Sequence, residues 1–429
     1  MFLTSFFMKI TINHLARMEG HASFIGALEN GDLSQAKIIT EEGIRLVEGC
    51  LKQKSMFDAH VITMRICGIC PIVHNLAAIK AMENAMKVKV SLQTVKLRQL
   101  MELSQLIHSH AMHLYFLSLP DFLGNAVTER LMKKFPQEAQ LALRLRAFGN
   151  RVNELIGGRS IHPLNNWIGG FKVTPPQSAL TEIQTQINEA LADAVKLAKF
   201  FAKLKYPKFE RPTAFASLDS RQNYAIYDGQ ILISAGGGRP FSRRYSSREF
   251  YDKIQEVEEA GSLAKRAVWS NQHFMVGALA RVNNHGHKLN AAAKKIWRAV
   301  HGSATVCNPF YNILAQAVEI VHCVEEMEKI TGKLKIKKEA PVKFKIRAGE
   351  GIATVEAPRG ILLHYYQIDA KARIVRADII TPTVMFLGNL EDDLGVYLPQ
   401  TKKMTTSQRV NKIRMLIRAY DPCISCATH

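Results

Sequence analysis

At 429 residues, 47% of them hydrophobic, the chain is long enough to bury a large core, and it has no apolar run approaching the ~20 residues of a membrane span. Its formal charge of +20 includes basic clusters at residues 239–248 and 333–345. No recognition module or aromatic–basic pattern accompanies them, so no nucleic acid is expected, and a solvated face or an acidic protein partner explains the charge better. Seven cysteines, an odd number, in a long chain without a visible secretory signal exclude a disulfide framework and predict reduced thiols in the cytoplasm.

Residues 1–7 are apolar but too short and too poor in basic residues for a signal peptide. They read as an upstream extension, and residues 1–8 are expected to be disordered. Residues 9–40 are β-rich: 24–28 and 33–39 flank Glu29-Asn30-Gly31-Asp32, and Asn-Gly predicts a hairpin. Helical periodicity follows over 73–87, 95–119, 138–156, 179–204, 289–300 and 312–330. Residues 342–381 turn back to strand, with alternation at 343–346 and β-branched or aromatic residues at 352–355 and 361–367. A last helix is predicted over 407–418, ending ahead of Pro422. Gly236-Gly237-Gly238 reads as a loop. The expected class is mainly α with smaller β elements (α+β): a long helical bundle core, an N-terminal β-hairpin region and a β-rich segment before the C-terminal helix.

Two cysteine pairs stand near opposite ends of the chain. Cys67 and Cys70 lie in Arg65-Ile66-Cys67-Gly68-Ile69-Cys70-Pro71-Ile72-Val73-His74. Cys423 and Cys426 lie in Asp421-Pro422-Cys423-Ile424-Ser425-Cys426-Ala427-Thr428-His429. Each pair alone could be a zinc half-site, a redox disulfide or a cluster ligand. Together they supply four thiolates for a soft transition metal. Their separation is far wider than in a zinc ribbon, so the fold must unite them, which argues for one domain over 1–429. On the cysteines alone, structural and catalytic metals stand level. Cys50, Cys307 and Cys323 lack partners at metal spacing and read as packing thiols.

The flanks of both pairs resemble the large subunit of nickel–iron hydrogenases. Other segments match that family in order along the chain: Arg17-Met18-Glu19-Gly20-His21, then Gly157-Gly158-Arg159-Ser160-Ile161-His162-Pro163 with Gly169-Gly170, then Ala357-Pro358-Arg359-Gly360, then Thr381-Pro382-Thr383. The resemblance implies that Cys67 and Cys423 are terminal nickel ligands, and that Cys70 and Cys426 bridge nickel to an iron carrying carbon monoxide and cyanide. It implies that Arg359 overhangs the metals, held by Asp121 and Asp421. Pro358, Pro382 and Thr383 would line the diatomic ligands, with the Thr383 hydroxyl donating to cyanide. His74 would hydrogen-bond a bridging thiolate, and Glu19 would be the proton gate. A second, hard-metal site, magnesium or iron, would take Glu48, His429 and the Ile379 carbonyl.

The implied function is reversible heterolytic cleavage of H2 by the catalytic subunit of a hydrogenase. Too few cysteines remain for a four-cysteine cluster, so a small subunit carrying iron–sulfur clusters must take the electrons. The chain is similar to the cytoplasmic, multisubunit, reversible type. Further flavin or diaphorase subunits would pass electrons to NAD(P), ahead of coenzyme F420 or a heterodisulfide reductase. The alternatives are a non-turnover H2 sensor, the related quinone-reductase subunit of respiratory complex I, which lacks these thiolates, and a zinc-stabilised scaffold. The sequence ends where a processed member of the family would end, whether by cleavage or by its gene.

Overall fold

Alternating apolar residues build the first sheet. The computed structural model describes residues 7–29, 32–124, 128–236 and 241–429. Strands β1 (Phe7–Ile12), β2 (Ala22–Glu29) and β3 (Asp32–Thr40) pair antiparallel in that order. Ile10 sits opposite Gly26, Ile12 opposite Phe24 and Phe24 opposite Ile38, so Ile10, Ile12, Phe24 and Ile38 bury one face. The expected hairpin is β2–β3. Its Asn30–Gly31 turn lies outside the described residues, as do residues 1–6 and 237–238. Residues 7 and 8, counted with the extension, open β1 instead, because pairing with β2 gives them ladder partners.

Helix α1 (Pro71–Met86) starts where Cys70 is its N-cap and Pro71 its first residue, a position that needs no N–H. Helix α2 (Leu92–Met112) is capped by the Ser91 hydroxyl, which accepts from Thr94 N–H. The sequence predicts one helix to residue 119. The chain instead opens into a π-helical segment at His113–Ser118 before the short helix Leu119–Phe122, whose Pro120 supplies no N–H. Helices α3 (Pro136–Gly157) and α4 (Gln177–Ala202) follow, close to the predicted bounds.

Residues 205–288, which carried no clear period, contain a four-stranded sheet. Strands β4 (Thr213–Asp219), β5 (Gln230–Gly236) and β6 (Ser242–Tyr245) are antiparallel, and β7 (Phe274–Met275) joins β4 in parallel. Helices α5 (Ala278–His285), α6 (Ala291–His301) and α7 (Asn312–Lys333) come next. Helix α7 packs against both α2 and α4, and α3 packs against α2 and α4, which makes the helical core.

A three-stranded meander follows: β8 (Gly349–Ala357), β9 (Gly360–Ile368) and β10 (Ile374–Ile380). Helix α1 lies across β8 and β9. The approach is so close that a Cβ on Gly351 would sit 1.9 Å from the Ala81 carbonyl oxygen. Residues 343–346 alternate like a strand but are irregular; the nearby Val342 N–H bonds Gly169, and no strand pairs with the alternating segment. Helix α8 (Pro382–Gln400) had no sequence expectation, and it packs on β3. Helix α9 (Thr406–Ala419) is capped by a Thr405–Gln408 capping box and ends as expected before Pro422. No described helix is long and apolar enough to cross a membrane.

Candidate metal centre

The two cysteine pairs converge. The loop carrying Cys67 and Cys70 is held by Gln105 on α2, whose amide donates to the Ile69 carbonyl (2.7 Å) and whose oxygen accepts from Ile72 N–H (3.3 Å). The second pair enters from the end of α9. Asn312 donates to the Ala419 carbonyl (2.7 Å), and Arg418 donates through Nε and Nη2 to Ala16 O (2.9 and 2.6 Å). Asp421 then takes a left-handed conformation, φ 53°, and turns the chain inward. Cys423 N–H donates to Thr383 Oγ1 (3.1 Å), and the Thr381 hydroxyl donates to the Cys426 carbonyl (2.9 Å). Arg45 ties the segments together, with its Nη2 donating to Ile66 O (2.7 Å) and to Ser425 O.

Cys67 Sγ and Cys423 Sγ are 3.5 Å apart, as are Cys70 Sγ and Cys426 Sγ, and Cys423 and Cys426 sulfurs are 2.9 Å apart. All four are buried, with their sulfurs within 4.8 Å of one another. Hydrogen bonds from the Cys423, Cys426 and Cys70 thiols hold the Cys67 thiol well below its usual range. Burial, then the hydrogen bond with Cys426, pushes Cys423 well above it. Four crowded sulfurs with no oxygen donor among them fit soft transition metals and do not fit magnesium or calcium.

Glu19 reaches the sulfurs from the N-terminal segment. A parallel bridge joins Glu19 to Cys423, and Ile424 N–H donates to the Glu19 carbonyl at 2.9 Å. Glu19 Oε2 lies 2.9 Å from Cys423 Sγ and accepts from Ser425 N–H at 3.0 Å. Its side chain is half-buried, between the sulfurs and the surface. Gly20 permits this crossing: its φ is +81°, and a Cβ there would lie 2.7 Å from Ile424 Cβ.

Arg359 sits in the β8–β9 turn. Buried Arg281 of α5 braces that turn by donating to Ala357 O (3.0 Å) and Pro358 O (3.1 Å) while paired with Glu319 (2.6 Å) and Glu356 (2.8 Å). Arg359 Nε donates to the Asp421 carbonyl (2.6 Å) and Nη2 to its carboxylate (2.9 Å). Burial works against the guanidinium charge, and Asp421 with the nearby cysteine sulfurs more than offsets it. Its Nη1 is buried without a partner among the described residues, a donor left over for a bound group. The expectation for Asp121 is corrected. It pairs with Arg418 and with Arg17 (3.1 Å). Arg359 is held by Asp421, because the left-handed turn brings that residue's carbonyl and carboxylate to it together.

His74 Nε2 faces Cys426 Sγ at 3.8 Å, and burial pushes its imidazole down to about 3. Pro382 is the first residue of α8, and Thr383 follows it with its oxygen on Cys423 N–H. The three second-site residues also meet. Glu48 Oε1 accepts from Ile379 N–H (2.6 Å), and His429 Nε2 lies 2.9 Å from Ile379 O and 3.8 Å from Glu48 Oε1. His429 Nδ1 faces the Cys426 carbonyl at 2.6 Å. A neutral imidazole has one N–H for two carbonyls, so a cation beside Nε2 relieves the mismatch. Burial pushes the Glu48 carboxyl up to about 7, which a cation would reverse.

Sequence reasoning missed Arg45, Arg281, and the His364 and Tyr366 pair behind His74. Only the last left a trace: a His and a Tyr two apart on a strand share a face.

A profile described as nickel-dependent hydrogenase matches residues 45–150 and 221–429. Sulfhydrogenase 1 subunit alpha of Pyrococcus furiosus is 33% identical, over 100% of this chain and 99% of its own. The NAD-reducing hydrogenase HoxS subunit beta of Cupriavidus necator is 25% identical, over 98% of this chain and 94% of its own. Among solved structures, an NAD+-reducing NiFe hydrogenase in the H2-reduced state superposes with a TM-score of 0.85 at 24% identity, covering 98% of this chain and 99% of that one.

Proposed function

Since the chain belongs to the nickel-dependent hydrogenase family, as a catalytic large subunit, we propose that its two cysteine pairs hold one nickel–iron centre for reversible H2 cleavage. The observation that carries this reading is the convergence of four buried sulfurs from the two ends of the chain. It also supports taking residues 1–429 as one catalytic unit. Cys67 and Cys423 would hold nickel, and Cys70 and Cys426 would serve both nickel and iron. The centre, when bound, would supply heterolytic cleavage of H2, which yields one proton first and then a second proton with two electrons.

The protein's own groups handle the proton. Cys423 Sγ carries it, and Glu19 Oε2, 2.9 Å away, takes it toward the surface. Arg359 keeps its charge over the sulfurs, and its free Nη1 points a donor at the reacting space. Thr383 receives Cys423 N–H on its oxygen, so its own hydrogen stays free to donate to an iron-bound cyanide. Pro358 and Pro382 bring no N–H of their own to the carbon monoxide and cyanide. Glu48, the Ile379 carbonyl and His429 hold magnesium, or iron, at the second site; the two oxygen donors and the His429 hydrogen-bond mismatch support this.

The electrons leave through a small subunit with iron–sulfur clusters. The three remaining cysteines, Cys50, Cys307 and Cys323, differ in exposure and supply no second four-thiol group. The acceptor we propose is NAD(P), in the cytoplasm and through flavin-carrying subunits, with the NAD-reducing relative in support. Coenzyme F420 and a heterodisulfide reductase are the acceptors to test beside it.

Infrared spectroscopy of the anaerobically purified complex tests the centre. Carbonyl and cyanide stretching bands are expected, and a silent spectrum from nickel-loaded protein would remove the diatomic ligands. H2-dependent reduction of NAD+, NADP+ and F420 by the same preparation identifies the acceptor; a rate with F420 alone would overturn the NAD(P) reading.

A further inference from the structure

Behind the sulfur cluster the His74 contact with Cys426 continues into a buried hydrogen-bond chain through His364 and Tyr366, two residues that none of the roles above uses. His74 Nε2 faces Cys426 Sγ at 3.8 Å, His74 Nδ1 lies 3.2 Å from His364 Nε2, and His364 Nδ1 lies 2.8 Å from the Tyr366 hydroxyl. All three side chains are fully or almost fully buried: His74 1%, His364 0% and Tyr366 0% exposed. His364 and Tyr366 project from the same face of β9, under α1, which carries His74.

The direction of the chain is fixed at the sulfur end. A metal-bound thiolate can only accept, whereas the Tyr366 hydroxyl can donate or accept and so can complete the chain as a donor. Each neutral imidazole donates from one nitrogen and accepts on the other. Donors therefore point toward sulfur throughout: Tyr366 O–H to His364 Nδ1, His364 Nε2–H to His74 Nδ1, and His74 Nε2–H to Cys426 Sγ. Reversing one link would set two lone pairs or two hydrogens face to face in a buried place.

We propose that Tyr366 is a positioning residue that, by donating to His364 Nδ1, stabilises the His74 tautomer in which the sulfur of Cys426 receives an N–H donor. This deepens the nickel–iron reading and rests on it. A donor on a thiolate ligand draws charge from the metals, so the chain holds their redox potential higher than a bare thiolate would.

The test is Tyr366→Phe in the metal-loaded complex. Its readouts are the midpoint of the nickel electron paramagnetic resonance signal and the infrared carbonyl band, with nickel and iron content measured alongside. The relay predicts a several-fold higher oxidised-to-reduced ratio at a fixed potential and a carbonyl band at lower wavenumber, with metal content unchanged. His364→Gln is the companion variant. Its amide can donate to His74 Nδ1 whatever Tyr366 does, so it should keep the wild-type midpoint, and adding Tyr366→Phe to it should change nothing. An unmoved midpoint in metal-replete Tyr366→Phe would overturn the relay. So would an equal effect of Tyr366→Phe with and without His364→Gln, which marks simple packing damage. If the wild type shows no carbonyl band, the diatomic part of the functional reading fails, while the nickel midpoint still decides the relay.

Discussion

Replacing Glu19 by Gln separates proton transfer from metal holding. The two side chains have the same shape. The Gln carbonyl can keep the Ser425 N–H bond, 3.0 Å in the native protein, and the backbone bond from Ile424 N–H to residue 19 is untouched. The sulfur cluster should therefore keep its geometry and its metals. What disappears is a group that can accept and release a proton 2.9 Å from Cys423 Sγ. Loss of a positioned acid–base group costs about 10²–10⁴-fold, or roughly 3–5 kcal/mol of barrier. The assay is exchange of D2 with solvent protons, which needs proton exit but no electron acceptor, alongside nickel and iron analysis. Exchange slowed by that factor with metals retained supports the gate. Native exchange in a metal-replete Glu19→Gln protein would refute the reasoning, because the proton would then have another exit.

Arg359→Lys should retain nickel and iron yet lower turnover by about 10²-fold, since one ammonium cannot serve both Asp421 contacts and still offer the donor now held by Nη1. Native turnover would exclude that part for Arg359. Gly20→Ala should lower stability in urea titration by at least about 2 kcal/mol, from left-handed strain of roughly 1–2 kcal/mol plus crowding against Ile424. A neutral result would mean the crossing at Cys423 shifts freely. His60 is buried, both ring nitrogens lack partners among the described residues, and burial lowers its pKa from 6.5 to about 4. The folded state keeps it neutral while the unfolded chain protonates it near 6.5. The associated stability is therefore complete above pH 6.5 and is lost as pH falls toward 4, up to roughly 3 kcal/mol. Denaturation of His60→Phe across that window should be flatter by this amount, and a parallel profile would count against it.

The sequence was legible where structure is local. The period of α1 through α4, α7 and α9, the pairing of β2 with β3 and the strands β8 and β9 all follow from neighbours within a few turns. The β4–β7 sheet was not legible, because β6 and β7 are short and β7 pairs in parallel with a distant strand. Helix α8 was hidden by Gly388, Gly395 and Pro399, helix-breaking residues that tertiary packing overrides. Residues 343–346 alternate correctly but find no strand beside them. In the site, motifs named the four cysteines, Glu19 and Arg359 because each sits in a distinctive run. Asp121 was misassigned because a motif does not say which arginine an acidic residue will meet; its partners, Arg418 and Arg17, come from two other segments. His364 and Tyr366 look like ordinary strand residues until the fold sets them behind His74.

Sulfur from both chain ends is expected to surround one nickel–iron pair. X-ray absorption at the nickel and iron edges of the purified complex tests it most directly. A nickel shell of four sulfurs with iron close by is expected, losing sulfur scatterers in a Cys67→Ser protein. Zinc in place of nickel, or a nickel shell of nitrogen and oxygen that ignores that substitution, would contradict it.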